Sequence, residues 1–448
     1  MISNVKNVFL IVLLCCSVIA AAGRKPVKKS RPSHLVVVSE QKLAPGIRYT
    51  HYRTKSRRST HIHELRFNRT EQGGALCILK GRDWISGREP LASLTRRYSD
   101  SNGREVFGAI NANFWSGGRS IPIGPLVADG QVVQMLPYKQ WSSAFFDKSN
   151  AMVIDTFRLR GILVRGSDTL SISSVNSRFK PFDIVFYNLY AGPSVPFIPD
   201  DWVESALHEA MVDTTLLGND STEQVLDTAQ MREDLRKMMV ETNREHATKK
   251  LVFRYLHSPC VNAPVPALLI AVDTGVVAVP DSGFIITVSD SVYKLSPLAS
   301  WSVGDTTVVH FSTNVHSKQV FVNAVSGTPR LVRNGKASPE AAREGVTSKR
   351  FINRKLARTA IGVDKSGREL IFAVIEPGSN GNAQEGATLL ETARFMKMLG
   401  AYQAMNLDGG GSSGMVVENS HVFYKNEDPV TRSISVALGL IRAITETP

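Results

Sequence analysis

Hydrophobic and polar positions alternate in short blocks along most of the chain, the pattern of strands and not of long helices. Leu35 to Val38 is a brief apolar run, His61 to Phe67 alternates, and Ala75 to Leu79 is continuously apolar, as a buried strand would be. Val106 to Ile110 leads into Asn111-Ala112-Asn113-Phe114-Trp115 and a glycine turn. That places polar side chains on a loop at a strand end, a common position for function. Further strands are expected within 121–136, with a turn at Asp129-Gly130, and within 143–154, 183–190, 250–255, 267–272, 276–293 and 306–311.

Two stretches depart from this rhythm. Residues 201–249 are polar, nearly free of Gly and Pro, and rich in Glu, Met, Leu and Ala. They read as two helices, near 201–216 and 221–246, forming a helical insertion. From Gly386 to Leu399, Leu389, Ala393 and Met396 share one helical face, and Gly400 is placed to end the helix. Ala401 to Leu407 then reads as a strand delivering Asp408 to a glycine turn. A hairpin (415–418 with 421–424) and a closing strand (433–444) follow. The expected fold class is α+β: a mixed, largely antiparallel sheet or sandwich core with helices packed outside and an insertion near 201–249.

Composition adds little to this picture. Of 448 residues, 43% are hydrophobic and 21% charged, which is ordinary for a globular protein. The N-terminus changes more. Lys6 precedes an apolar run from Val8 to Ala22 that ends in three alanines, the layout of a secretory signal, and the run is short for a permanent anchor. The expected plan is a signal peptide (1–22), a basic linker (23–34), a strand-rich N-terminal segment (35–100) and a main domain (101–448). Export implies a periplasmic or extracellular protein. With the signal removed, Cys77 and Cys260 remain, as a disulfide or as two thiols.

The formal net charge is +13, part of it in the tail Arg24 to Pro32 and part in Arg53, Lys55, Arg57 and Arg58. These clusters lack interleaved aromatics and any nucleic-acid motif. They favour a solvated tail, or attraction to an anionic envelope polymer or membrane surface, over nucleic acid.

The strongest local signal is Asn406-Leu407-Asp408-Gly409-Gly410-Gly411-Ser412-Ser413. Three glycines cost backbone entropy that packing does not require, and they allow amides to converge on an anion. Gly410 to Gly414 also matches the G-x-S-x-G nucleophile elbow, but that motif needs a following helix, and Met415-Val416-Val417 reads as a strand. A P-loop would need a Lys after the glycines. Arg358 beside Thr359, at the start of an apolar strand, could offer a planar fork to phosphate. Asn111 and Asn113 share a face if extended and suit sugar hydroxyls. Glu391 is a possible second carboxylate, or else a capping residue. His61-x-His63 puts two imidazoles on one strand face with no third ligand evident, so no metal or cofactor is expected.

Arg358-Thr359-Ala360-Ile361-Gly362, the Asn406 to Ser413 loop and the Ile110-Asn111 segment together resemble the phosphodiester glycosidase family. Gly327 to Gly335 and the helix before the Asp loop add to the match. The resemblance spans roughly residues 100–448, most specifically the last hundred. Two departures, Ala112 and Trp115 in the Asn segment and Ala357 before Arg358, bear on the sugar more than on the reaction. The resemblance implies a sugar joined through its anomeric carbon to a phosphodiester. On that reading Arg358, Thr359 and the Gly409, Gly410 and Gly411 amides hold phosphate, with Ser412 and Ser413 adding hydroxyls. Asp408 is base, nucleophile or oxocarbenium stabiliser, and Asn111, Asn113 and Asn406 orient sugar hydroxyls. The alternatives are a non-catalytic module binding envelope glycopolymer and a phosphodiesterase breaking the P–O bond.

Overall fold

The computed structural model describes residues 35–443 except 56–58, 72, 118, 377–385, 423–431 and most of 198–247. The signal run, the basic tail and nearly all of the helical insertion lie outside the described residues, as do Arg57 and Arg58. The site rests on two sheets. The first has eight strands. Six of them, in spatial order from one edge, are β1 (Leu35–Ala44), β2 (Ile47–Thr54), β3 (His61–Asn68), β7 (Glu369–Ile375), β6 (Arg358–Val363) and β8 (Gln403–Asn406), each antiparallel to its neighbours. The second includes β9 (Met415–Val417), β5 (Val106–Asn111), β10 (Val436–Arg442) and β4 (Gly74–Lys80) in that order. The α+β, largely antiparallel expectation holds. A parallel pair does occur, between Ser174–Val175 and Val185–Tyr187.

Alternation explains the layering, because successive side chains of a strand point to opposite faces. On the first sheet Leu65, Phe67, Ile361, Phe372 and Met405 face the second sheet and meet Ile78, Ile110, Leu438 and Met415 in one core. The intervening residues Ile62, Ala360, Ile371 and Ala373 face the other way, onto Leu389, Ala393 and Met396 of the helix α2 (Leu389–Met398). The outer side of the second sheet is covered by α1 (Leu91–Asn102), through Leu91 and Leu94 against Cys77, Leu79 and Ala109. The sequence pattern did not reveal α1, whose sequence LASLTRRYSDSN carries few apolar residues. Gly108 lets the two sheets approach: a β-carbon there would lie 2.7 Å from Leu65 Cδ1 and 3.0 Å from the Val416 carbonyl.

A second core lies beyond. A further eight-stranded, largely antiparallel sheet, including Lys249–Tyr255, Val265–Asp273, Gly283–Val288 and Thr306–Thr313, packs Phe253, Phe284 and Phe311 together with Phe145, Phe157 and Phe321. The expected strand over 276–293 divides here, because Ser289 caps a short helix, Asp290–Leu295. Cys77 is buried and Cys260 half-buried, in different cores, and both are free thiols. Among the described residues no helix is long and apolar enough to cross a membrane.

The helix expected from Gly386 begins three residues later. Thr388 is its N-cap, accepting from the Glu391 amide, while the Glu391 carboxylate accepts from the Thr388 amide at 2.9 Å. This reciprocal box satisfies two otherwise orphaned donors. Thr388→Ala should lower stability by about 1 kcal/mol, read from the midpoint of urea unfolding at unchanged slope.

Candidate functional site

β8 ends at Asn406 and the chain turns at Asp408 into the glycine loop. Its direction is set by a hydrogen-bonded network centred on Asn111, the last residue of β5. Asn111 Nδ2 donates to the Asp408 carbonyl at 2.7 Å, and its Oδ1 accepts from Thr359 Oγ1 at 2.7 Å and from the Gly414 amide at 3.1 Å. One buried amide therefore joins β5, β6 and both ends of the loop. Asn113 does similar work one step on, donating to the Ile123 carbonyl and accepting from the Ser326 amide. The residues expected to meet sugar hydroxyls, Asn111 and Asn113, and phosphate, Thr359, thus also hold the backbone around the loop. All three side chains are buried, and their polar groups are engaged within the protein.

Of the amides expected to form a nest, those of Gly409 and Gly410 have partners within the protein. The Gly409 amide donates to the Asp408 carboxylate at 2.9 Å and the Gly410 amide to the Ala357 carbonyl at 2.8 Å. Gly410 to Ser412 form a short 3-10 turn, in which Gly410 has φ 63° and so takes the left-handed conformation glycine permits. Packing explains Gly409, since a β-carbon there would sit 3.2 Å from the Ala357 carbonyl. No helix follows Ser412; β9 does, so the nucleophile-elbow geometry is not formed.

Arg358 is fully buried. Nε donates to the Ala387 carbonyl at 2.9 Å, and Nη2 to the carbonyls of Phe351 and Arg354 at 2.8 and 3.0 Å. The guanidinium thus braces the loop before α2, with the Phe351 ring 5.2 Å away. Burial lowers its pKa to about 10, which leaves it cationic at neutral pH. Among the described residues its Nη1 has no hydrogen-bond partner, nor do the buried atoms Asn406 Oδ1 and Ser413 Oγ. Buried polar atoms normally have partners, so three orphans within one loop and its adjoining strand ends leave hydrogen-bonding capacity open to water or a ligand.

Asp408 keeps part of its surface open. Burial pushes its carboxyl up to about 6, against the Ser412 hydroxyl, the Gly409 amide and the Arg432 charge, which hold it down. Arg432 is the residue that sequence reasoning missed. It lies just before β10, and its guanidinium stands 5.0 Å from the Trp115 ring centroid, with the Arg88 guanidinium 4.4 Å from the same ring. Neither arginine sits in a recognisable motif; only the fold brings them to Trp115.

Glu391 remains apart from this group. Its carboxylate belongs to the capping box and lies 3.3 Å from Lys355 Nζ, and these contacts hold its pKa low despite burial. The geometry gives it the capping role that the sequence offered as the alternative.

A profile of the phosphodiester glycosidase family matches residues 267–441. This segment is similar to that family. The glycosidase segment contains Arg358, Glu391, the Asp408 loop and Arg432, whereas Asn111, Asn113 and Trp115 come from outside it. The bovine (Bos taurus) N-acetylglucosamine-1-phosphodiester alpha-N-acetylglucosaminidase is 33% identical over 115 residues, which is 24% of this chain and 21% of that protein. The human (Homo sapiens) protein of the same name is 31% identical over 115 residues, 24% and 22% of the two chains. The match thus spans about a fifth of the length of these relatives. Two solved structures share the fold. A protein from Synechocystis is 20% identical with a TM-score of 0.57, covering 89% of this chain and 62% of that one. A protein from Burkholderia pseudomallei is 18% identical with a TM-score of 0.52, covering 85% and 74%.

Asn111→Ala would leave the Thr359 hydroxyl, the Gly414 amide and the Asp408 carbonyl without that partner. A loss of about 2 kcal/mol or more in urea unfolding is expected, since each stranded buried group costs ~1–3 kcal/mol. Glu391→Gln keeps the shape of a capping box, so folding and any activity should stay within about twofold of wild type. A large loss of activity in a stably folded Glu391→Gln would restore the carboxylate to the chemistry.

Proposed function

We propose that this protein is an exported hydrolase that releases a sugar from a sugar-1-phosphodiester by cleaving the bond from the anomeric carbon to the phosphate oxygen. The observation that carries this reading is the meeting of a carboxylate of raised pKa, Asp408, with three buried polar atoms that have no hydrogen-bond partner among the described residues, in a segment similar to the phosphodiester glycosidases. Their chemistry is complementary to such a substrate. Arg358 Nη1 is a cationic donor for a phosphate oxygen, Asn406 Oδ1 is an acceptor for a sugar hydroxyl, and Ser413 Oγ can serve either. Arg432 adds a second cation, and Trp115 offers an aromatic face to a sugar ring.

Ordinary glycosidases need a second carboxylate to protonate an alcohol as it leaves. Here the departing group is a phosphate monoester, whose second pKa is about 6, so it can leave as the dianion without a proton. Cationic stabilisation by Arg358 and Arg432 then stands in for the general acid. That agrees with Glu391 being committed to its cap. Asp408 acts in its ionised form on the opposite partner of the reaction, as base toward water or as nucleophile toward the anomeric carbon. Export rests on the apolar run behind Lys6, and affinity for an anionic envelope polymer rests on the basic tail.

Asp408→Asn should reduce release of free sugar from a sugar-1-phosphodiester by about 10²–10⁴-fold. The wild-type kcat/KM should fall on the acid side of an inflection near pH 6, because the ionised form is the active one. Stability runs the other way. Between the ordinary carboxylate range and about 6 the unfolded chain loses this proton first, so ionisation opposes folding as pH rises. Asp408→Asn should therefore be at least as thermostable as wild type at pH 7.5, which separates lost chemistry from lost fold. In ¹⁸O-labelled water the label should enter the sugar. Label in the phosphate, with sugar 1-phosphate as product, would replace this reading by P–O cleavage. Binding of glycopolymer without turnover would replace it by a binding module.

A further inference from the structure

A second group of ionisable side chains lies on the same sheet face as the site. His51 of β2 pairs directly with His63 of β3, His63 with Val374 of β7, and Val374 with Thr359 of β6. His61 is two residues from His63 and therefore on the same face, and the Glu376 amide donates to the His61 carbonyl at 3.1 Å. Glu376, two residues beyond Val374, shares that face as well. The partners that could complete a ligand set with His63 thus come from neighbouring strands, His51 from β2 and Glu376 from just beyond β7, which no spacing along the sequence could show.

We propose that His51, His63 and Glu376 form a binding site for a divalent transition-metal ion, zinc by the chemistry of its donors. Two imidazoles and a carboxylate are a common zinc ligand set, with a fourth position open. One donor atom from each residue lies within 4.8 Å of the other two. Zinc bonds of ~2.0–2.1 Å bring tetrahedral donors to about 3.3 Å from one another, a closure within reach of side-chain rotation on fixed strands. The rings are already held. Tyr49 Oη contacts His63 Nδ1 at 2.7 Å, which leaves His63 Nε2 directed at Glu376 Oε1, 2.5 Å away. His61 Nδ1 contacts His51 Nε2 at 2.8 Å, and the His51 and His63 rings stack with centroids 4.4 Å apart. A ring fixed through its other nitrogen is the usual arrangement around a bound metal.

Two imidazoles and a carboxylate are the donor types a zinc ion binds once they are deprotonated, so binding should release protons and weaken as pH falls. Strands lie about 4.8 Å apart, so Thr359, two strands from His63, puts the site roughly 10 Å from the Asn111 network. The metal site does not depend on the glycosidase reading, and its test uses no substrate.

Tag-free full-length protein is titrated with ZnCl₂ by calorimetry, and with CoCl₂ by visible absorption. One equivalent should bind per chain, with a Co²⁺ d–d band of four-coordinate intensity and a rise in Tm. His51→Ala and Glu376→Gln should each weaken binding by more than about 100-fold, and Tyr49→Phe, which removes only an orienting contact, by about 10–100-fold. Unfolding of each variant without metal, compared with metal-free wild type, checks that the fold is kept. Absence of saturable Zn²⁺ binding by the wild type overturns the proposal. So does binding that is unchanged in both ligand variants, which would place the ion elsewhere. Should either variant fail to fold, zinc-edge absorption of the wild type decides alone: two imidazole shells and a carboxylate support the site, and any set without imidazole overturns it.

Discussion

The side-chain amide of Asn111 is the contact on which the candidate site depends. It links β5 of one sheet to β6 of the other and clamps both ends of the loop that carries Asp408. Without such a tie a loop with three glycines would have many conformations of similar energy, and a carboxylate at its head would have no fixed position. Because the clamp is buried and its polar atoms are paired, its geometry is costly to relax. Close approach of the sheets at Gly108 supports it, since the network spans two layers only while they stay close.

The residues around the loop divide into those that hold and those that are left open. Asn111, Asn113, Thr359 and the amides of Gly409 and Gly410 hold. Arg358 does both, with Nε and Nη2 bracing the α2 entrance and Nη1 unpaired. This division suits a site for a charged substrate. Electrostatic stabilisation is strongest when the charges that supply it cannot reorganise during the reaction.

Much of this was legible in the sequence, and the limit is physical. Alternation along His61 to Phe67 and the apolar runs near 75, 106 and 358 reported the strands, because a half-buried or fully buried strand must show one pattern or the other. Asn406 to Ser413 stood out because nothing in the neighbouring sequence calls for three consecutive glycines. The pattern could not report partners across strands. Asn111 reads as a sugar-binding residue until Thr359 and Gly414 are seen against it, and Glu391 reads as a free carboxylate until its cap is seen. Arg432 and Arg88 carried no local signal at all; their relation to Trp115 exists only in the folded chain. The helix α1 was missed for the opposite reason, a weak amphipathic stripe that tertiary packing makes sufficient.

The hydrogen bonding of β3 to β7 has a wider consequence. β7 belongs to the glycosidase segment, and six of its seven residues are buried. The strands that cover its flank, β1 to β3, come from the start of the described chain, far outside that segment. A fragment trimmed to residues 267–441 would expose a long, apolar, unsatisfied strand edge, a template for self-association. The boundary of recognisable ancestry is therefore not a boundary of autonomous folding. Any unit inherited, exchanged or expressed on its own must take the N-terminal strands with it.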